Sequence, residues 1–210
     1  MISKQVQKKG LLSKLLEKGV KILLKKECKK IGKLKIDIIA TSIQIIKGII
    51  EKIYINAEGV NYKELLIDKI NIESDTIKIA YNLNKNELRF KNNILIKFRI
   101  LLSESSIKRI LFSCDWQWIK DMICKELFDQ DNLEDIKIRN DMILMKLIKG
   151  NKAINELEKL EINAEGGKIY VRNERYNNSI LIPIEDKVYI KNLYIQNNSI
   201  IITATSSVNF

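Results

Sequence analysis

Histidine is absent from this chain of 210 residues. Imidazole is the usual base and zinc ligand near neutral pH, so Ser-His-Asp and Cys-His activation and most zinc sites are excluded with it. GxGxxG, GxxxxGK[ST], GxSxG and HExxH are missing too, and with them the signatures of dinucleotide, nucleotide, serine-hydrolase and zinc-protease chemistry. Proline occurs once, at Pro183, and no Ser/Gly-rich linker interrupts the chain. Residues 1–210 therefore read as one domain. The three cysteines, Cys28, Cys114 and Cys124, are odd in number and form no CxxC pair, which points to reduced thiols in a cytoplasmic protein. No window reaches the roughly 18–20 consecutive apolar residues of a membrane span, and the lysine-studded start has no uninterrupted apolar stretch like that of a signal peptide. If this chain meets a membrane, it lies against it.

What is present is charge, unevenly placed. Residues 1–35 hold twelve lysines against Glu17 and Glu27, a net of +10 out of +11 for the chain. A nearly neutral body with a basic N-terminal segment is built to meet an anionic surface. Nucleic acid is the disfavoured version of that surface: the segment has no arginine for bidentate base contacts, and no aromatic RNA-stacking motif is present.

Residues 11–31 have helical spacing. At about 100° per residue, Leu11, Leu12, Leu15, Leu16, Val20, Ile22, Leu23, Leu24 and Ile31 spread over roughly 220°, while Lys14, Lys18, Lys21 and Lys25 form a stripe about 60° wide on the other side. So wide an apolar arc calls for protein on most sides of the helix, or protein on one flank and lipid on another.

The period then changes to that of strands, in 33–41, 52–57, 66–72, 76–82 and 93–102. In the last, Ile94, Ile96, Phe98, Ile100 and Leu102 share one face. "SESS" at 103–106 supplies an N-cap and first turn for two short helices, about 104–112 and 115–128, with Leu111, Phe112, Trp116 and Trp118 packing the pair onto a sheet. Strands resume afterwards, with turns at 84–87, Asn140-Asp141, Gly166-Gly167, Asn177-Asn178 and Asn197-Asn198. The expected fold is α+β: one long, twisted antiparallel sheet around an N-terminal amphipathic helix, with a short helical pair inserted mid-chain. Its segments are a basic helix (1–32), a strand meander (33–102), the helical pair (103–128) and a second meander (129–210).

Two stretches invite a chemical reading. "INAEG" occurs at 55–59 and again at 162–166, which would place Glu58 and Glu165 as a carboxylate pair. Such a pair needs a fixed separation of about 5–9 Å that nothing here fixes, and both copies read as strand ends entering turns. The acidic run at 129–141 lacks the central glycine and terminal glutamate of a calcium loop and reads as a solvated loop. No metal site, cofactor or catalytic residue is expected, and the chain reads as a non-enzyme.

The stretches "LKIDIIATSIQIIKGIIEKIYINAEGVNYKELLIDKINIESDTIKI" (34–79) and "NILIKFRILLSESSIKRILFS" (93–113) resemble the LmeA-like phospholipid-binding family, a bacterial family formerly described as a domain of unknown function. The resemblance runs from about residue 8 to 127 and lies in the spacing of apolar residues and glycines. It implies a fold like tubular lipid-binding modules and a non-enzymatic lipid-binding role. The family pattern carries no ligand residue that can be transferred by position.

Together these readings lead us to expect binding of a phospholipid or similar amphiphile in an apolar groove between helix and sheet, lined by Leu12, Leu15, Leu16, Leu23, Ile96, Phe98, Ile100 and Trp116. Lys14, Lys18, Lys21 and Lys25 would contact headgroups and recruit the chain to anionic membranes from the cytoplasmic side. The alternative expectation is a structural or adaptor module that docks a partner protein through an exposed apolar surface.

Overall fold

The computed structural model describes residues 10–82, 87–129, 132–149, 152–173, 175 and 178–208. Helix α1 (Leu11–Glu27) is followed by β1 (Lys30–Ile39), a five-residue helix α2 (Ser42–Ile46) and the short β2 (Ile49–Ile50). Next come β3 (Lys52–Tyr62), β4 (Leu65–Ser74), β5 (Ile77–Asn82), β6 (Glu87–Phe90) and β7 (Ile94–Ser103). Helices α3 (Glu104–Leu111) and α4 (Gln117–Phe128) interrupt the strands. The chain then forms β8 (Asn132–Arg139), β9 (Met142–Lys149), β10 (Lys152–Glu165), β11 (Lys168–Asn173), β12 (Asn178–Ile182), β13 (Val188–Gln196) and β14 (Ser199–Val208). The fold is α+β with antiparallel sheets throughout, as the alternating periods require.

The strands form three sheets, not the single continuous one expected: a six-stranded sheet β1-β3-β4-β7-β14-β13, a five-stranded sheet β12-β11-β10-β9-β8, and a three-stranded sheet β2-β5-β6. The C-terminal hairpin divides the second meander. β14 leaves it to pair along β7, with Ser199 opposite Ser103 and Val208 opposite Ile94, and carries β13 on its outer side. β8–β12 are left as a separate layer, which α3 and α4 cover. Their core is the largest, with Ile107, Leu111, Ile123, Cys124, Leu127 and Phe128 from the helices packed against Leu133, Ile138, Met145, Leu147 and Leu160. A smaller core lies under α1, where Ile36, Ile38, Ile50, Ile77 and Ile94 are buried and Leu16, Val20 and Leu24 pack on them.

Turn chemistry follows the sequence. Asn140-Asp141, Gly166-Gly167 and Asn197-Asn198 all have positive φ, the backbone that two-residue hairpins need and that Asn, Asp and Gly tolerate. Residues 84–86 and Asn177 of the expected turns lie outside the described residues. Ser103 caps α3, its side chain accepting from the Ser106 backbone, as "SESS" implied.

Several boundaries differ from the sequence reading. α1 stops at Glu27, not at residue 31: Cys28 is already extended, because the chain must turn to lay β1 beside the helix. Ile31 therefore packs from β1 into a third cluster with Cys28 and Leu34. The acidic run is not a free loop, since β8 begins at Asn132; Asp135 pairs with Lys108, whose hydrogen bond holds that carboxyl below its usual range. Phe112, the C-cap of α3, is 44% exposed, although Leu111 is buried.

The first "INAEG" does not close a strand. β3 runs through it to Tyr62, and Gly59 has φ +62 inside the strand, facing Gly32 so closely that a Cβ on Gly32 would stand 3.0 Å from the Glu58 carbonyl oxygen. The second does end β10 and enters the Gly-Gly hairpin. Glu58 and Glu165 lie in different sheets, one paired with Lys33 at 2.9 Å and the other with Arg172 at 2.7 Å. They are architectural neighbours of separate bases.

Candidate functional site

The site is built on α1 and the strand edge it covers. β1 is an edge strand of the six-stranded sheet, and an open edge is a row of unpaired backbone groups. Two polar residues one turn apart on α1 satisfy part of it: Glu17 Oε1 accepts the Ile38 N–H at 3.1 Å, and Ser13 Oγ donates to the Ala40 carbonyl at 3.3 Å. Ser13 is the one buried residue of α1, which its bond to the sheet edge explains. The helix is thus fixed by Ser13, Glu17, Leu16, Val20 and Leu24.

That contact uses only part of the apolar arc. Leu11, Leu15, Ile22 and Leu23 remain 76%, 56%, 67% and 63% exposed. Leu11, Leu15 and Ile22 fall within about 40° of one another on the helical wheel, directly beside the stripe of Lys14, Lys18, Lys21 and Lys25, all exposed. Next to α1, the α2 helix leaves Ile43 and Ile46 exposed at 66% and 77%. Thr41 fixes α2 by a capping box, accepting from the Gln44 backbone while the Gln44 side chain accepts from the Thr41 N–H.

An open cleft of about 580 Å³ runs between α1 and β1, lined by Leu11, Lys14, Leu15, Glu17, Lys18, Lys21, Leu34, Lys35 and Ile36. On the α2 side a second cleft, of about 470 Å³, is lined by residues including Leu16, Ile46, Gly48, Ile50 and Ile79.

The eight residues expected to line one groove are not brought together. Leu15 faces the first cleft; Leu16 faces the second and packs on the core beneath α1, as does Ile96. Leu12 is half-buried and Leu23 exposed. Phe98 borders a separate depression with Tyr54, Asn71 and Arg99, and Ile100 joins the cluster around Ala57, Val60 and Ile67. Trp116 sits at the β3–β4 turn, its Nε1 donating to the Lys63 carbonyl at 2.8 Å, with its ring 6.4 Å from that of Trp118, which is 39% exposed. Of the four lysines, Lys14, Lys18 and Lys21 line the first cleft; Lys25 is exposed beyond it.

The sequence reading missed Leu11, Glu17, Leu34, Lys35 and Ile36 at the cleft and the exposed Ile22, Ile43 and Ile46 outside it. The Thr41-x-x-Gln44 spacing was the available signal for α2. The edge contacts of Ser13 and Glu17 had none, because they depend on where β1 ends up. Part of the remaining charged surface is paired. Lys29 meets Glu64 at 2.6 Å, and their hydrogen bond raises the lysine pKa and lowers that of the carboxyl. Lys52 meets Glu73 at 2.5 Å. Cys28, Cys114 and Cys124 are free thiols, and burial pushes the Cys124 pKa up to about 11. No group of His, Cys, Asp and Glu that could hold a metal occurs among the described residues, and no described helix is long and apolar enough to cross a membrane. Compared with family models, curated proteins and solved structures, the chain matches none.

Proposed function

We propose that this protein binds phospholipid or a similar amphiphile without covalent chemistry, and that α1 recruits it to anionic membrane surfaces. The observation that carries the reading is the division of α1: one flank packs on the sheet, and the other leaves Leu11, Leu15, Ile22 and Leu23 in solvent beside a lysine stripe. A helix with that pairing of apolar flank and lysines suits the plane of a bilayer interface, where apolar area and attraction to anionic lipid act together. Each basic residue near such a surface contributes on the order of 1 kcal/mol. A phospholipid-binding role is also what the sequence resemblance of 34–79 and 93–113 would imply. In this proposal the apolar groove is the open cleft whose lining includes Leu11, Leu15, Leu34 and Ile36.

A second reading has its own observation. Ile43 and Ile46 extend the exposed apolar surface away from the lysine stripe, as an adaptor that docks a partner protein would require. Flotation of the full chain separates the two. The lipid reading predicts flotation with anionic vesicles at low salt, much weaker flotation at high salt, and none with neutral vesicles. A chain that floats with neither, and that carries no lipid through purification, leaves the adaptor.

A further inference from the structure

We infer that the cleft between α1 and β1 is a one-to-one site for a single-chain anionic amphiphile, an acyl chain ending in a carboxylate or phosphate. The inference rests on the lipid reading above and narrows it from a surface to a ligand. The floor is apolar, with Leu11 and Leu15 from the helix and Leu34 and Ile36 from the strand. The rim is cationic, with Lys14, Lys18 and Lys21 from α1 and Lys35 from β1. Among the described residues Glu17 is the one acid of the lining, and its carboxylate already accepts from Ile38. Three lysines in no ion pair, and a fourth shared with Asp37, against one engaged acid make the rim complementary to an anion.

The lysines are available for that role. Among the described residues Lys14, Lys18 and Lys21 join no ion pair, and Lys35 makes only an exposed contact with Asp37 at 3.2 Å. Their carbon stems can lie along the floor while the ammonium groups meet the head. The backbone adds polar groups. Ile38 donates toward α1, and the β1–β3 register runs without a shift from Lys33 to Ile39, so the N–H and C=O groups of Leu34 and Ile36 point to the same side, toward the cleft. The size suits one chain: about 580 Å³ falls in the range of about 300–1,000 Å³ that holds one small ligand. A second chain would lie against lysine stems and solvent.

The test is displacement of a fluorescent long-chain carboxylate from the full chain, below the micelle concentration of each competitor. Palmitate, lysophosphatidate and lysophosphatidylcholine are compared on the natural sequence and on K14A/K18A/K21A, whose exposed positions leave the fold intact by thermal melting. We expect one site per chain, and at least one of the two anions binding about tenfold or more tighter than the zwitterion. The triple substitution should remove about that tenfold from the anions and leave the zwitterion unchanged. Which anion binds tighter then identifies the head as carboxylate or phosphate. Equal affinity for anionic and zwitterionic heads, or indifference to the triple substitution, overturns the assignment. So does the absence of saturable binding in a chain that still floats with anionic vesicles. Loss of both binding and flotation overturns the lipid reading beneath it as well.

Discussion

The two helical parts of this molecule meet their sheets in opposite ways. In α3 and α4 most of the apolar side chains disappear: Ile107, Ile110, Leu111, Ile123, Cys124, Leu127 and Phe128 are buried, and Trp118 alone is left exposed. In α1, with more leucine per turn, only Ser13 is buried, and the helix is held by hydrogen bonds to a strand edge and by half of its apolar arc. A wide apolar arc does not by itself say how much of it protein will cover. The helical pair lies across the face of a sheet, where one flat layer takes up the whole stripe. α1 lies along the edge of β1, where the sheet offers one side and nothing beyond it. The uncovered remainder of α1 is the functional proposal, and the covered remainder of α4 is stability.

The sharpest way to test that contrast is to truncate one leucine in each place. Leu127 is 2% exposed, so Leu127→Ala should cost about 2–5 kcal/mol through the cavity it opens, read as a lower urea midpoint. Leu15→Ala, at 56% exposure, should change stability by no more than about 0.5 kcal/mol and still weaken flotation with anionic vesicles. Equal losses of stability would mean that α1 is packed in solution much as α4 is.

Cys124 offers a smaller, pH-dependent probe of the same core. Its folded pKa stands near 11, against an ordinary value near 9, because burial disfavours the thiolate. The folded state therefore holds this proton more tightly. Stability from the buried thiol is complete below about pH 9 and is lost as pH rises toward 11, by at most on the order of 2–3 kcal/mol. Melting of the natural chain and of Cys124→Ala across pH 8–11 should diverge in slope, the variant losing less. Parallel curves would mean that the thiol is not buried in solution.

The least effect is expected at the repeated pentapeptide. Glu58→Gln and Glu165→Gln each remove one exposed ion pair, and surface pairs contribute little. Both variants should melt within the scatter of the natural chain and keep its vesicle binding.

Much of the fold was legible in the sequence because it is local. Period-2 stretches became strands within a few residues of their expected ends, "SESS" capped α3, and Asn-Asp, Gly-Gly and Asn-Asn turned hairpins because such residues tolerate the backbone required most readily, although Lys63-Glu64 makes the β3–β4 turn with the same positive φ. What was not legible depends on distant partners. Nothing in "KVYIKNLYIQNNSIIITATSSV" says that this hairpin leaves its neighbours and pairs with β7, yet that pairing divides the sheets. For the same reason the groove could not be drawn from periodicity. Phe98, Ile100 and Trp116 have the right chemistry, but the topology sends them to three other places. The lysine stripe fared better, since Lys14, Lys18 and Lys21 are set by helical spacing alone and reach one cleft together.

The central claim, that the exposed flank of α1 is the membrane contact, is tested most directly by making that flank polar. L11S/L15S/I22S alters side chains that are 56–76% exposed and leaves every lysine in place. The account predicts a variant that melts like the natural chain and no longer floats with anionic vesicles at low salt. A variant that floats as well as the natural chain would contradict it, because lysine alone would then account for whatever binding there is.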